Sequence, residues 1–248
     1  MPRPLPQHFY ARPTLLVARE LLGQRLVRHW QGHRLAGRIM EVEAYIGGDD
    51  LASHARFGKT TRNAAMFGPP GCAYIYIIYG VHTCLNIVTE KLDFPAAILV
   101  RALEPVEGLE VQQRLRTKAA QRQHGTQIAV RDLARGPGRL CQALAIDRSL
   151  NGTELYTPDA QLYVEPDEVI TDAEVLEGPR IGVTGDAQAR NALWRFYVQA
   201  SPWVSGKTRA EVRHPEEGAT EYERFPPQST SCNSAMVTAQ EVNDGTTR

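Results

Sequence analysis

YIYIIYGVHTCLN, residues 74–86, is the stretch on which the fold turns. An aromatic and β-branched run climbs to Gly80 and a second apolar run leaves it, which is the pattern of a β-hairpin with glycine at its corner. Tyr74, Tyr76 and Tyr79 lie on the first arm, and the return passes through Val81, His82, Cys84 and Asn86. Corners favour Gly, Asn, Asp or Pro, so the bulky Tyr79 needs either a core to bury it or a partner to receive it. A stack of nucleic-acid bases is such a partner, because a side chain can wedge between base steps.

Upstream, alternation along Met40–Tyr45 puts Glu41, Glu43 and Tyr45 on one face and Met40, Val42 and Ala44 on the other. Carboxylate and aromatic then share a surface. Gln24–Trp30 and Arg34–Tyr45 read as a hairpin joined through Gln31–His33, preceded by an amphipathic helix over Thr14–Leu22 that Gly23 closes. Ala96–Leu103 reads as a buried strand, and Pro105 suits the first turn of a helix to about His124. Arg135, Gly136, Pro137, Gly138 and Arg139 form a loop opening onto a helix at Leu140–Ile146. Such an end is either a plain junction or a phosphate contact through free backbone N–H groups. Tyr163–Asp167, Ile181–Thr184 and Trp194–Gln199 read as later strands, and the polar, aperiodic residues 208–248 read as a disordered tail.

At 248 residues with 42% apolar composition, the chain can bury a full core. Its formal net charge of +0 conceals a gradient, with 20 Lys and Arg against 12 Asp and Glu in residues 1–150. A basic first half carrying the tyrosine-rich strands suits a polyanion, while overall neutrality argues against indiscriminate coating of nucleic acid. Cys72, Cys84, Cys141 and Cys232 form no C-x-x-C pair and the histidines show no ligand spacing, so neither metal nor disulfide framework is expected. No run approaches membrane-spanning length, and the start lacks a signal-peptide core. A soluble protein of the cytoplasm or nucleoid, without membrane association, is expected.

The motifs together resemble the alkyladenine (3-methyladenine) DNA glycosylase family of the alkylpurine type. The matching blocks are Glu43–Tyr45 with His54, then Arg62, Asn63, Met66 and Phe67, then Tyr74–Asn86, Leu99–Pro105, Gly136–Ile146, Arg180–Val183 and Arg195–Ser205. They run in order from about Ala11 to Ser205, a density more specific than any single motif. The resemblance implies an α+β fold. It would be a single compact domain over 11–207, with a curved, mostly antiparallel sheet, flanking helices and a protruding DNA-inserting β-hairpin, behind an N-terminal extension of residues 1–10.

It further implies a monofunctional glycosylase that acts as a monomer on double-stranded DNA containing damaged purines. Such an enzyme flips the damaged nucleotide out and hydrolyses the bond from base to deoxyribose. Glu43 matches the general base that holds the attacking water, Arg101 the arginine that helps position it, and the Ile181 carbonyl another water contact. Tyr45 and His54 match one wall of the base pocket, Tyr76 the opposite wall, Asn86 the residue that disfavours guanine's exocyclic amino group, and Tyr79 the wedge. Arg135, Gly136, Gly138 and Arg139 are candidate DNA-backbone contacts. Val81 and His82 depart from the larger residues of mammalian members, and residues from Thr208 onward match nothing in the family.

Independent chemistry agrees with these roles. Base departure leaves oxocarbenium-like charge on the sugar, so one carboxylate can both activate water and stabilise that charge, with no cofactor expected. Tyrosine faces stack on bases and attract cationic ones. Two other readings are a damage-binding protein that inserts Tyr79 without cleaving, and a hydrolase of free nucleosides. Glu43 with Arg101 argues against the first, and the wedge and basic half against the second.

Overall fold

The computed structural model describes residues 3–120 and 128–206. Their fold is α+β. Strands β1 (Arg25–Trp30), β2 (His33–Ile46), β3 (Ala73–Ile78), β4 (His82–Val88), β5 (Ala96–Glu107), β6 (Leu162–Glu165), β7 (Val175–Gly178) and β8 (Arg195–Val198) form one sheet. Helices α1 (Gln7–Tyr10), α2 (Thr14–Leu21), α3 (Leu109–Ala119), α4 (Pro137–Ala143) and α5 (Ala187–Asn191) accompany it. Every strand pairing is antiparallel. The order is β3-β4-β5-β2-β1-β6, with β8 added to β2 and β7 to β8.

The long β2 makes this branching possible. Its first part pairs with β1, and Glu41–Glu43 pair with β8 instead. At the fork Ile39 faces Leu103 and Glu41 faces Ala102, so Met40 is an extra residue and the strand carries a β-bulge. Among the described residues no strand joins β3 to β6. The sheet is therefore open and uncurled, in place of the curved sheet expected.

Period-two alternation divides the labour of the central strands. Val42, Ala44, Ile75, Leu85, Ile87, Ile98 and Val100 face the main core, where they meet Val17, Leu21, Val111 and Leu140 from three helices. The alternate positions, Tyr45, Tyr74, Tyr76, Cys84, Asn86, Ala97, Leu99 and Arg101, all line a cleft on the other side. Residues 5–10, assigned from sequence to an extension, pack on this domain: Leu5 donates its N–H to Val164, and Tyr10 is fully buried.

Several boundaries differ from the sequence reading. Pro105 does not open a helix; it lies in β5 opposite Gly37, at a register shift where a missing N–H is tolerated. The helix begins at Leu109, after Gly108 turns the chain at φ 73°. The helix expected at Leu140 starts earlier, at Pro137. Ile181–Thr184 is not a strand, since Gly182 (φ 72°) and Gly185 (φ 125°) break the extended run. Short strand β7 and helix α1 escaped the sequence reading. The tail 208–248 and the stretch 121–127 lie outside the described residues. Among the described residues no helix is long and apolar enough to cross a membrane.

Gly108 offers a test of this arrangement. A Cβ there would stand 2.6 Å from Leu35 Cδ2 and 2.8 Å from the Arg34 carbonyl oxygen, in a left-handed conformation that side chains avoid. Gly108→Ala should lower the unfolding free energy by about 2 kcal/mol or more. Urea denaturation would show this as a reduced midpoint, and an unchanged midpoint would mean that the turn relaxes freely.

Candidate active site

Glu43 sits near the C-terminal end of β2, where Leu99 flanks it on one side and Arg195 on the other. Its side chain has no exposed surface. A buried charge is tolerable only when paired and hydrogen-bonded, and two hydrogen-bond donors and one cation meet this one. Oε1 accepts from the Ile181 N–H at 2.6 Å and lies 3.1 Å from Arg101 Nη1; Oε2 accepts from the Tyr45 hydroxyl at 2.9 Å. The amide of Ile181 thus braces the carboxylate. Tyr45, Arg101 and Ile181 all line the cleft, so Glu43 lies directly behind its wall.

Arg101 bridges to a second buried carboxylate. Its Nε lies 3.1 Å from Glu41 Oε1, which also accepts from Arg195 Nε at 2.7 Å, while Glu41 Oε2 accepts from the Ser205 N–H at 2.6 Å. Burial works against the Arg101 charge, but Glu43 and then Glu41 outweigh it and raise its pKa. The guanidinium is therefore a fixed cation between two fixed anions.

The cleft holds about 810 Å³, ample for a purine and its sugar. His54 and Tyr76 meet edge to face with centroids 4.5 Å apart, and His54 Nδ1 is 2.8 Å from the Tyr74 hydroxyl. A short 3-10 turn, His54–Phe57, capped by the Ser53 side chain, delivers that histidine. Burial first, then Arg62 and Arg56, lower the His54 pKa, so the ring is neutral at pH 7. Asn86 is buried opposite Tyr74 and donates its amide to the Tyr74 carbonyl at 3.0 Å. This fixes which way the side chain points.

At the mouth, Tyr79 and Gly80 both have positive φ, 52° and 72°, and the Val81 N–H bonds back to Ile78. That is the primed geometry that hairpins prefer, here with an unusual residue at its first corner. Tyr79 is 84% exposed and Val81 69%. Across the mouth, Arg135, Gly136, Gly138 and Arg139 line the same cleft, with the Arg135 Nε held by the Val204 carbonyl at 2.8 Å. Gly138 allows close approach of the hairpin, since a Cβ there would lie 3.2 Å from the His82 ring.

The structure accordingly gathers every residue singled out from sequence around one cleft. Sequence reasoning missed the network behind it. Glu41 shares a face with Glu43 and was open to discovery, but nothing local marks Arg195 and Ser205 as its partners. The fully buried Arg180–Asp50 pair, at 2.6 Å and 2.8 Å, was equally hidden.

Residues 8–202 match the family model described as methylpurine-DNA glycosylase. Among curated proteins, one from Methanocella arvoryzae is 49% identical over 210 residues, covering 84% of this chain and 98% of the relative. One from Clostridium perfringens strain 13 is 42% identical over 205 residues, covering 82% and 99%. One from Myxococcus xanthus is 46% identical over 201 residues, covering 81% and 93%. All three carry the name "Putative 3-methyladenine DNA glycosylase".

The lowered His54 pKa has a direction that can be measured. Because the folded state binds this proton more weakly than the unfolded chain, the histidine's contribution to stability is complete above the ordinary pKa of about 6.5 and is lost as pH falls toward the folded-state value. Arg62→Gln removes the larger of the two charge effects, so the NMR titration midpoint of His54 should move upward yet stay below the ordinary value, because burial remains. No movement would show that Arg62 does not act on the ring.

Proposed function

The chain belongs to the methylpurine-DNA glycosylase family, hydrolases of the N-glycosidic bond, and from that premise we propose that it excises alkylated or deaminated purines after flipping them out of duplex DNA. The observation that carries this reading is the Glu43 carboxylate, buried against the wall of a purine-sized cleft faced by Tyr45, Tyr76 and His54.

In this reading the duplex approaches the arginine-bearing mouth, and Tyr79 enters the space that the flipped nucleotide leaves. The exposed tyrosine in a strained turn supports the wedge, since strain of this kind persists where function requires it. Arg135 and Arg139, with the chain at Gly136 and Gly138, contact the phosphates. The extruded base lies between Tyr45 with His54 and Tyr76, where stacking returns roughly 1–3 kcal/mol per base against a flipping cost of a few kcal/mol. Asn86, tied to the backbone, occupies the place where a guanine amino group would need room.

Glu43 then takes a proton from a water as it attacks the anomeric carbon, while its charge faces the oxocarbenium-like sugar. Arg101 keeps the carboxylate aligned. The base leaves, and because the nucleophile is water no covalent adduct with the protein forms. A ring-alkylated purine is cationic while bound, which favours the tyrosine faces, and it leaves neutral; a neutral purine such as hypoxanthine leaves with the electron pair and takes its proton from water. The enzyme works as an intracellular monomer on chromosomal DNA, in the first step of base excision repair, and residues 208–248 are dispensable for it.

The test is a panel of duplexes each bearing one 3-methyladenine, 7-methylguanine, hypoxanthine or ethenoadenine. Base release from at least one, leaving an intact abasic strand, is expected; binding without release, or action on free nucleosides alone, would overturn the reading. Glu43→Gln preserves shape and an oxygen for Ile181 and Arg101, so it should still bind damaged duplex yet lose at least about two orders of magnitude in release rate. Tyr79→Ala should weaken damaged-duplex binding in a gel-shift assay and barely alter the melting temperature, because the side chain touches no core. A large thermal loss with unchanged binding would assign Tyr79 to the fold instead.

A further inference from the structure

We propose that the Tyr45 hydroxyl is a positioning group for Glu43, fixing the one acceptor site through which the carboxylate can hold the attacking water. This rests on the reading of Glu43 as general base. A carboxylate presents about four lone-pair sites. On Oε1 the Ile181 N–H takes one site and the Arg101 guanidinium, in ion-pair contact at 3.1 Å, covers the other, while on Oε2 the Tyr45 hydroxyl takes a third. What remains is on Oε2, and the phenol decides which of its two sides is open. Since Glu43 has no exposed surface, water has to reach it along the boundary with Tyr45 and Arg101.

The phenol is suited to this task. Burial, and after it the Glu43 charge, hold the Tyr45 pKa well above the ordinary tyrosine range, so the group is an O–H donor at any working pH. Its ring is fixed from behind. The Arg180 guanidinium carbon lies 4.7 Å from the Tyr45 centroid and 5.0 Å from that of Trp194, a cation held between two aromatic faces. Asp50 grips that guanidinium at 2.6 Å and 2.8 Å, and the carbonyls of Ala44 and Ala189 each accept from it at 2.9 Å. Arg180 and Ile181 are adjacent, so one dipeptide braces both the back of the ring and Oε1 of the carboxylate. Tyr45 therefore joins two functions: the face that stacks on the base also carries the atom that aims the general base.

Tyr45→Phe separates them, because it keeps the ring, its stacking and its contact with Arg180 and removes only the hydroxyl. We expect single-turnover release to fall about tenfold or more, the scale of one hydrogen bond to a charged group. Damaged-duplex affinity and KM should stay within about twofold, which identifies a loss confined to the chemical step. In a Glu43→Gln background the same substitution should cost nothing further, since the hydroxyl acts only through the carboxylate. Wild-type release by Tyr45→Phe overturns the proposal, as does a parallel loss of affinity or an additional loss in the Glu43→Gln background. Retained release in Glu43→Gln alone overturns the general-base assignment and this proposal with it, whereas a silent Tyr45→Phe beside an inactive Glu43→Gln overturns this proposal only.

Discussion

Glu41 and Glu43 occupy alternate positions of one strand and neither exposes any surface. Much of the latter part of the domain follows from the need to satisfy them. An uncompensated buried carboxylate costs several kcal/mol, so each oxygen requires a donor that does not move away. One cation comes from the neighbouring strand as Arg101, and another from the far side of β2 as Arg195. The amides of Ile181 and Ser205 and the Tyr45 hydroxyl complete the set. Those donors fix where β8 can pair and where residues 180–205 must run. The β1 ladder ends at Arg25 opposite Arg38, which leaves that edge of β2 open for β8 from Glu41 onward, and the bulge at Met40 falls between the two on the β5 side.

What was legible in the sequence was local: two-residue alternation in strands, the amphipathic period of α2 and glycine at a corner. Alternation placed Glu43 and Tyr45 on one face, and the tyrosine run with Gly80 announced the hairpin. Those patterns are local, and the sheet enforces them because a one-residue slip would turn the whole buried set outward. Long-range chemistry left no such trace. Asp50 and Arg180 are 130 positions apart, and neither has a neighbour that marks it as half of a buried pair. The misplacement at Pro105 has a similar cause. A proline preceding a polar, helix-prone stretch looks like a first turn, but Leu103 is already committed to the core, and strand pairing carries on to Glu107 before Gly108 can redirect the chain. At Ile181–Thr184 the apolar residues suggested a strand, yet two glycines with positive φ leave a loop that lines the cleft and gives one N–H group to Glu43.

The division of the central strands into a core face and a site face also explains how so roomy a cleft can have rigid walls. Several wall residues have a core residue on either side of them in sequence: Tyr74 is held by Ala73 and Ile75, Asn86 by Leu85 and Ile87, and Leu99 by Ile98 and Val100. Positions that carry chemistry inherit the immobility of a packed interior. The hairpin tip is the exception: beyond Ile77 the strands leave the core, and there Tyr79 stands in solvent.

Under the proposed function, charge around the cleft serves two opposed requirements. A duplex is a polyanion and calls for arginines at the mouth, where Arg56, Arg62, Arg135 and Arg139 stand. A cationic, ring-alkylated base calls for the opposite, a pocket without positive charge. His54 lies where the two meet. Were it protonated, it would repel such a base; burial and the charges of Arg62 and Arg56 lower its pKa and hold it neutral. Under the proposed function, arginines that draw the DNA backbone toward the mouth therefore also keep the adjoining wall uncharged, and the neutral imidazole and the tyrosine faces remain free to stack against a base of either charge.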